Sequence, residues 1–467
     1  MVSPGLRFSR VISRAALALC LLVPLAGARG QGSEIAGTMP EEHLPALRAI
    51  LATALARSPS LIDADFRRAV VEAQVIGADA PRLPGVGAQL NYARNQTSIS
   101  SASSSKSNAD GFFYNLGVNQ ALFHWGALKN SAEAARLRLA IEQRKFDVAY
   151  RTLAGVLRKA YLALIVEKNR VRFARETLRL LRGDLVVLAE RKESGAISAA
   201  VLEGERLRER RVALDTERAE SEFAANRARF ARLAGIGDLA EDAVPDEIPA
   251  PTCTPALATA LTSALLRDGA KSTLEYEVHS LAVSEAMRRY DVEKVRLLPK
   301  FSLGAGLSLE NSTDVNGNTV NQQGIQRRSV NLNAQWSIFD GFATKAAKRE
   351  ALANRRLAER TLASRTEEIL QDAQILTRNI SLDARELELS DIGRSIALES
   401  RKRLAEEAAL GNIPQGDVDR AQLGIVQAEI AQLAARAALF GRWTDLVALA
   451  ADDPLLKTPP ARHDREK

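Results

Sequence analysis

Four segments of the chain alternate between apolar and polar residues, as strands with two different faces do. In 301–310 and 329–338 every second residue is apolar, and the residues between them are mostly Ser, Asn, Gln or Gly. Segment 112–122 follows the same pattern, and 86–92 follows it more weakly. Because successive side chains of a strand point to opposite faces, each segment predicts one apolar and one polar face.

Segments of about ten residues with this alternation are typical of transmembrane barrels, whose apolar side meets lipid and whose polar side lines a lumen. The alternative is a soluble sandwich, but four strands are too few to organise a chain of 467 residues. They are also too few to close a barrel, since closed membrane barrels have about eight strands or more. An open edge is not tolerated in lipid, so several copies would have to pool their strands.

Two proline-free stretches, 126–193 and 342–410, have apolar residues at helical spacing and predict two long helices. Each helix would extend about 100 Å at 1.5 Å per residue. The stretches stop near Gly195 and Gly411, which suits the left-handed position after a helix C terminus. A shorter return helix follows each glycine, and the apolar seams predict antiparallel coiled coils.

The two halves of the chain repeat each other at a constant offset. Phe123 and Phe339, which precede the long helices, are 216 positions apart, and the glycines that follow those helices keep this offset. A repeat of this length is much longer than a solenoid unit of about 20–50 residues, so it indicates a duplicated half-molecule. The predicted domains are a signal peptide 1–28, a first repeat 29–235, an equatorial linker 236–258, a second repeat 259–452 and a disordered tail 453–467. The predicted hairpins are 84–122 and 299–338, and the predicted turns are 194–199 and 411–415. Within the hairpins, the Ser-rich stretch 97–108 and the Asn-rich stretch 311–323 are expected to be flexible loops.

The N-terminal segment has the order of a secretory signal. Three arginines precede an apolar run, 15–25, and small residues follow at 26–28. A membrane anchor is the alternative, but the run is too short to cross a bilayer core of about 30 Å. Beyond it we find no apolar stretch of 18 or more residues, so no transmembrane helix is predicted.

Composition and motifs predict no catalytic residue, no cofactor and no metal. The net charge of +7 is small for this length, and the charges alternate along helices, which indicates solvated faces and no nucleic-acid partner. Cys253 is the single cysteine after the signal, so no disulfide can form within the chain. The four histidines are isolated, and neither a metal-binding pair nor a Gly-x-Ser-x-Gly nucleophile motif occurs. We therefore do not expect an enzyme.

In the order and spacing of these elements, the chain resembles the TolC family of trimeric outer-membrane channel proteins over residues 45–452. The resemblance rests on Leu298-Pro299 before the third strand, on Trp-Ser-Ile-Phe-Asp-Gly at 336–341, and on the spacing from Gly411 to Asp417-Val418. The first copies of the last two motifs are looser and lie at 120–126 and 195–202.

The resemblance implies a fold that is mainly α with a small β part. Three chains would pool four strands each into one 12-stranded transmembrane barrel, continued by a long periplasmic α-helical barrel of coiled coils. It also implies a bacterial outer-membrane location, contact with outer-membrane lipid, and a periplasmic adaptor that links the channel to an ABC or proton-driven inner-membrane pump. The function implied is a passive exit duct for drug efflux or type I protein secretion, and the sequence does not choose between these cargoes. The alternative is a soluble periplasmic scaffold or adaptor, but an adaptor has one coiled-coil hairpin whereas this chain has two.

By the same resemblance, the two turns form a periplasmic tip where the tunnel narrows and the adaptor docks. The tip residues are Gly195, Ile197, Leu202, Gly411, Ile413 and Val418. In some members a gate uses carboxylates at the sixth and ninth residues after the second glycine. Here the sixth is Asp417, and the ninth is Arg420 with Asp419 beside it. A threefold ring of Asp417 is implied; the alternative is that this carboxylate only stabilises a helix N terminus.

Overall fold

The computed structural model describes residues 39–99, 105–316, 319–450 and 453. The predicted signal peptide, residues 100–104 and 317–318 in the two hairpins, and the tail after Asp453 lie outside the described residues. The elements are α1 (Pro40–His43), α2 (Pro45–Arg57), α3 (Pro59–Asp79), β1 (Gly85–Ile99), β2 (Ser105–Phe123), α4 (Ala127–Glu193), α5 (Ala199–Ala234), α6 (Pro255–Asp268), α7 (Leu274–Lys294), β3 (Lys300–Asn316), β4 (Thr319–Gln335), α8 (Ala343–Ala409) and α9 (Gln415–Leu449), with short 3-10 helices at Ala80–Arg82 and Glu241–Ala243.

The long helices α4 and α8 have 67 residues each and begin and end at the 216-residue offset. Each starts after two consecutive residues with left-handed backbone, and in each pair one member is an aromatic residue. The φ angle is 54° at Trp125 and 70° at Phe342, a conformation that costs about 1–2 kcal/mol outside glycine. Trp125 Nε1 donates a hydrogen bond of 2.7 Å to the Pro299 carbonyl, and the Phe342 ring packs edge-on against Phe339. These contacts hold the sheet-to-helix junctions in the left-handed conformation.

The four strands form one antiparallel sheet in chain order. The central pairing of β2 with β3 joins the two repeats, and β1 and β4 are the edges. The strands extend further than the apolar alternation predicts. Stretches 97–108 and 311–323 were expected to be flexible loops, but their described residues are strand, with Asn311 opposite Gly324 and Thr313 opposite Gln322.

This expectation was wrong because a strand ladder is built from backbone hydrogen bonds, which Ser- and Asn-rich sequences can also make. At its other end β4 stops at Gln335, although 329–338 was predicted as strand. Trp336 and Ile338 therefore lie beyond the strand, where their side chains are exposed.

The apolar core lies midway along the long helices. One cluster surrounds the buried centre of α4 at Leu157 and Ile165, and a second joins α6, α8 and the end of α9 around Trp443. The segment 236–258 packs into this region, with Val244 and Ile248 fully buried. Asn169 Nδ2 donates a hydrogen bond of 2.8 Å to the Asp246 carbonyl, and Arg436 donates one of 2.6 Å to the Ile248 carbonyl. The segment is thus fixed to helices of both repeats.

The return helices pack through buried residues seven positions apart. In α5 these are Leu202, Thr216, Phe223 and Phe230, with position 209 between the first two. In α9 there are two such rows, which are Val418, Ile425, Leu439 and Leu446, and Val426, Leu433, Phe440 and Val447. A seven-residue repeat is the signature of a coiled coil, and two rows allow α9 to contact both α8 and α4.

One helix in the described part of the chain, α9, is long and apolar enough to cross a membrane by length and composition. The sequence analysis predicted no such helix. The apolar side chains of α9 are nevertheless used within the fold, because Phe440, Trp443 and Leu446 are fully buried in the core. We therefore interpret α9 as a core helix.

A buried ionic cluster fastens both ends of the described chain to α4. Arg158, which is fully buried, donates hydrogen bonds to Glu41 of α1 and to Asp453, which follows α9. The distances are 2.9 Å from Nε to Glu41 Oε2 and 2.6 Å from Nη1 to Asp453 Oδ2. Asp453 was assigned to the predicted disordered tail, but it is 2% exposed because it pairs with this guanidinium.

We expect Arg158→Met to lower the free energy of unfolding by about 3–5 kcal/mol, because it leaves two buried carboxylates unpaired. The measurement is urea titration of the purified protein in detergent, followed by tryptophan fluorescence, because Trp443 is buried and becomes exposed on unfolding. Arg144→Met is the control, since this arginine of the same helix is largely exposed and its ion pairs should contribute about 0–1 kcal/mol. Equal effects of the two variants would contradict the role of the cluster.

Candidate functional site

The two turns at the far end of the helical hairpins have the same backbone geometry. The φ angle is 76° at Gly195 and 78° at Gly411. At the first turn, the N–H groups of Gly195 and Ala196 donate to the carbonyls of Lys192 and Arg191 over 3.1 and 2.8 Å. The second turn repeats both bonds over 2.9 and 3.0 Å. This Schellman arrangement ends each long helix sharply and reverses the chain.

The predicted tip residues divide into two groups by exposure. Gly195 and Gly411 are exposed and Ile197 and Ile413 are half-buried, so these four lie at the surface of the turns. Leu202 and Val418 are each 5% exposed and belong to the buried rows of the return helices. The second pair therefore supports the turns from within and presents little surface to a partner.

The charged residues of the second turn connect the two hairpins. Arg420 on α9 donates a hydrogen bond of 2.6 Å to Asp417 one turn earlier, and one of 3.4 Å to Asp184 on α4. Asp184 belongs to the first repeat and was not predicted from the sequence. No local signal marks it, because its partner is 236 positions away.

Asp419 interacts electrostatically with the first repeat. The pKa of Arg179 on α4 is raised, chiefly by its hydrogen bonds with Glu176 and to a smaller extent by the Asp419 carboxylate. The predicted group of Asp417, Asp419 and Arg420 therefore lies at the groove between α9 and α4. Nothing equivalent can form at the first turn, where Val201 and Gly204 occupy the positions of Asp417 and Arg420.

In the part of the sheet nearer the helices, one face is apolar and the other is polar. Towards the loops the apolar face ends at Tyr92, Phe112, Leu309 and Val330 on the four successive strands. When the strands are aligned by their pairing, the last apolar residue of β4 lies six residues closer to the helices than that of β1. Six residues extend about 20 Å along a strand, and three strand spacings extend about 14 Å across the sheet. The border is therefore parallel to the membrane plane when the strands tilt by about 55° from the membrane normal. Membrane strands tilt by about 45°.

Two apolar stripes remain exposed at the edges of the helical layer. Below the core the helices lie in the order α5, α4, α9, α8, which leaves α5 and α8 at the edges. The stripe on α8 has a seven-residue spacing, and its members are between 47% and 64% exposed: Ile375, Leu382, Leu389 and Ile396. Leu207 and Leu214 on α5 are spaced in the same way and are about equally exposed. Exposed heptad stripes at both edges are what a coiled coil between copies requires.

The described residues give little support for a metal site or a reactive cysteine. No group of three or more His, Cys, Asp or Glu side chains there is placed to hold a metal ion. Cys253 is buried, and burial raises the pKa of its thiol to about 12.

Both repeats of the chain match one known protein family. The family model described as outer membrane efflux protein matches residues 50–236 and 277–451, which is well over half of the chain. The chain belongs to the outer membrane efflux protein family. The two matched segments correspond to the two repeats, and no curated protein sequence matches the chain significantly.

Solved structures share the fold over most of their length. The CmeC outer membrane channel of Campylobacter jejuni has a TM-score of 0.69 at 14% identity, with 87% of this chain and 86% of that chain covered. The outer membrane protein VceC of Vibrio cholerae has a TM-score of 0.64 at 15% identity, with coverages of 86% and 95%. The MtrE outer membrane channel of Neisseria gonorrhoeae has a TM-score of 0.64 at 17% identity, with coverages of 89% and 91%.

As an outer membrane efflux protein, the chain forms a trimeric exit duct that is set in the outer membrane and extends into the periplasm. It works with an adaptor and an inner-membrane pump, and it is a passive channel, not an enzyme. The resemblance to the TolC family and the predicted fold class are thus confirmed. The roles of the individual tip residues stay predictions.

We expect Leu389→Glu to prevent trimer formation, because it places a charge in the exposed α8 stripe that would pack on α5 of the next copy. The measurement is the mass of the detergent-solubilised protein by light scattering. Leu398→Glu is the matched control, since this exposed leucine lies on the same helix but outside the stripe. A trimer for both variants would contradict the assignment of this stripe to the contact between copies.

Proposed function

We propose that the two helical turns form the periplasmic aperture of the duct and the surface that meets the adaptor, and that the apolar face of the sheet meets outer-membrane lipid. The observation that carries the aperture proposal is the link from Arg420 to Asp184. It joins the second hairpin to the first, close to the end where the helices reverse. A contact at that position can hold the hairpins together, and its loss would let them separate.

The adaptor contact is supported by the exposed residues of the turns. Gly195 and Gly411 leave backbone uncovered, and Ile197 and Ile413 offer half-buried apolar side chains beside them. Leu202 and Val418 act from below by fixing the return helices to their partners. Because the two turns share one backbone geometry, an adaptor would find the same shape six times around a trimer.

Asp417 is the residue we assign to an aperture ring. Its side chain is 40% exposed although Arg420 contacts it, so the carboxylate is open to solvent. Threefold symmetry would bring three such carboxylates around the axis. Each is partly neutralised by its own arginine, and the ring would therefore attract cations less strongly than free carboxylates. Asp419 would contribute indirectly, through its attraction for α4.

Lipid contact is supported by the slanted apolar border of the sheet. A border that becomes level at about 55°, close to the tilt of about 45° of membrane strands, is what a bilayer would impose. Aromatic side chains lie at both ends of the apolar face, with Tyr92 and Phe112 near the loops and Trp336 near the helices. Such girdles flank the apolar band of outer-membrane barrels.

The test is planar-bilayer recording of the purified trimer with a salt gradient. We expect discrete conductance steps from the unaltered protein. Asp417→Asn should lower the cation preference and weaken block by multivalent cations, because it removes the charge of the ring. Arg420→Gln should raise both cation preference and conductance, because it frees Asp417 and breaks the link to Asp184.

Arg191→Gln is the control, because it removes an exposed arginine near the other turn without breaking a link between hairpins. It should leave the reversal potential and conductance near those of the unaltered protein. Identical reversal potentials for all variants would contradict the Asp417 ring. An unchanged conductance in Arg420→Gln would contradict the proposal that the link from Arg420 to Asp184 holds the hairpins together. A trimer that never conducts would overturn the duct itself.

A further inference from the structure

Two arginines lie on the apolar face of the sheet, immediately beyond its border. Arg94 follows Tyr92 by two positions on β1, and Arg328 precedes Val330 by two positions on β4, so both point to the apolar side and away from the helices. Both side chains are exposed. Among the described residues, neither of them makes an ion pair. Two cations are thus presented to the surroundings of the barrel at the outer limit of its apolar band.

The strand register alone would place Arg328 in the wrong environment. Its row runs through Leu307 and Leu116 to Ala88, which are well within the apolar band. Arg328 lies outside the apolar band only if the strands tilt so that the border of the apolar face is level with the membrane. A charge on the lipid face is costly at the middle of a bilayer and nearly free at its borders, so this position is consistent with the tilt.

The two arginines lie on the two edges of the sheet. In the trimer β4 of one copy must pair with β1 of the next, because the backbone groups of an open edge cannot remain unpaired in lipid. Since Arg94 and Arg328 each stand two residues above the same border, they come to the same height at this junction. Neighbouring strands are about 4.8 Å apart. The two guanidinium groups can therefore reach one ligand.

The surroundings favour an anionic ligand with several acceptor oxygens. Arg94 lies opposite Asp110, whose carboxylate accepts a hydrogen bond of 3.3 Å from the Tyr92 hydroxyl. At each junction two arginines thus face one aspartate that already has a partner, and positive charge remains. Guanidinium groups bind phosphate through paired, charge-assisted hydrogen bonds, and phosphate groups occur at this level of a membrane as lipid head groups.

We propose that Arg94 and Arg328 of adjoining copies form a binding site for the phosphate group of an outer-leaflet lipid, with three sites in each trimer. The inference rests on the proposed lipid contact of the sheet. The acyl chains of the lipid would lie along the apolar band below, over Val330 and Leu90. Tyr92 would stand between the chains and the head group, which suits its amphipathic ring.

The test is native mass spectrometry of the detergent-solubilised trimer, titrated with diphosphoryl lipid A. We expect up to three lipids to bind the unaltered trimer. In the Arg94→Gln, Arg328→Gln double variant, binding should be at least about tenfold weaker, as expected for the loss of charge-assisted hydrogen bonds. Arg327→Gln is the matched control, since it removes the same charge from the neighbouring residue on the polar face, and it should bind lipid like the unaltered trimer.

Two further titrations separate the possible ligands. Dephosphorylated lipid A should bind all proteins as weakly as the double variant binds the phosphorylated lipid. Inorganic phosphate at millimolar concentration should compete only slightly, because it has no acyl chains to contact the apolar band. Full competition by phosphate would make this an ion site and overturn the lipid proposal. Unweakened binding of diphosphoryl lipid A by the double variant would show that the two arginines do not form the lipid site.

The conductance measurement distinguishes this inference from the function on which it rests. If the unaltered trimer and the double variant both conduct in bilayers of phosphatidylcholine, the sheet enters lipid without the phosphate site. Loss of lipid A binding with retained conductance then supports the site. Conductance combined with equal lipid binding in all variants would overturn the site alone, whereas a non-conducting unaltered trimer would overturn both.

Discussion

The structure depends on the unpaired backbone groups at the two edges of its sheet. Within one chain, β1 and β4 each leave a row of N–H and C=O groups without a partner strand, and a bilayer offers no water to satisfy them. Only closure of the sheet removes the edges, and four strands are too short an arc for closure. Trimerisation is therefore a condition for the strands to exist in the membrane. The helices must follow the same symmetry, because each long helix continues directly from a strand.

The duplication explains most of the architecture, and the two repeats differ at the tip, where a function is proposed. The limits of the long helices, the turns and the left-handed junctions repeat at one offset, so a trimer has a nearly sixfold framework. The repeats differ in charge at the tip, where Asp417 and Arg420 of the second hairpin correspond to Val201 and Gly204 of the first. The two turns thus share one backbone geometry, whereas the contact of Arg420 with Asp184 has no counterpart among the described residues of the first turn.

The sequence was most informative where one residue type repeats at a fixed period. Alternation identified the apolar parts of the strands, and the proline-free heptad stretches identified the long helices. It was least informative where backbone alone decides, so the polar continuation of β3 beyond Asn311 was mistaken for a loop. Pairs that are distant along the chain also leave no local pattern. Asp184, and Asp453 in what looked like a disordered tail, could therefore not be predicted as partners of Arg420 and Arg158.

The buried cluster around Arg158 has a consequence for how the protein matures. Its two carboxylates, Glu41 and Asp453, lie on either side of Arg158 along the chain, 117 and 295 positions away. A chain that crosses the inner membrane from its N terminus delivers Glu41 first, then Arg158, and Asp453 last of the three. The cluster therefore closes only after both repeats have been exported, so this part of the core is completed late in folding.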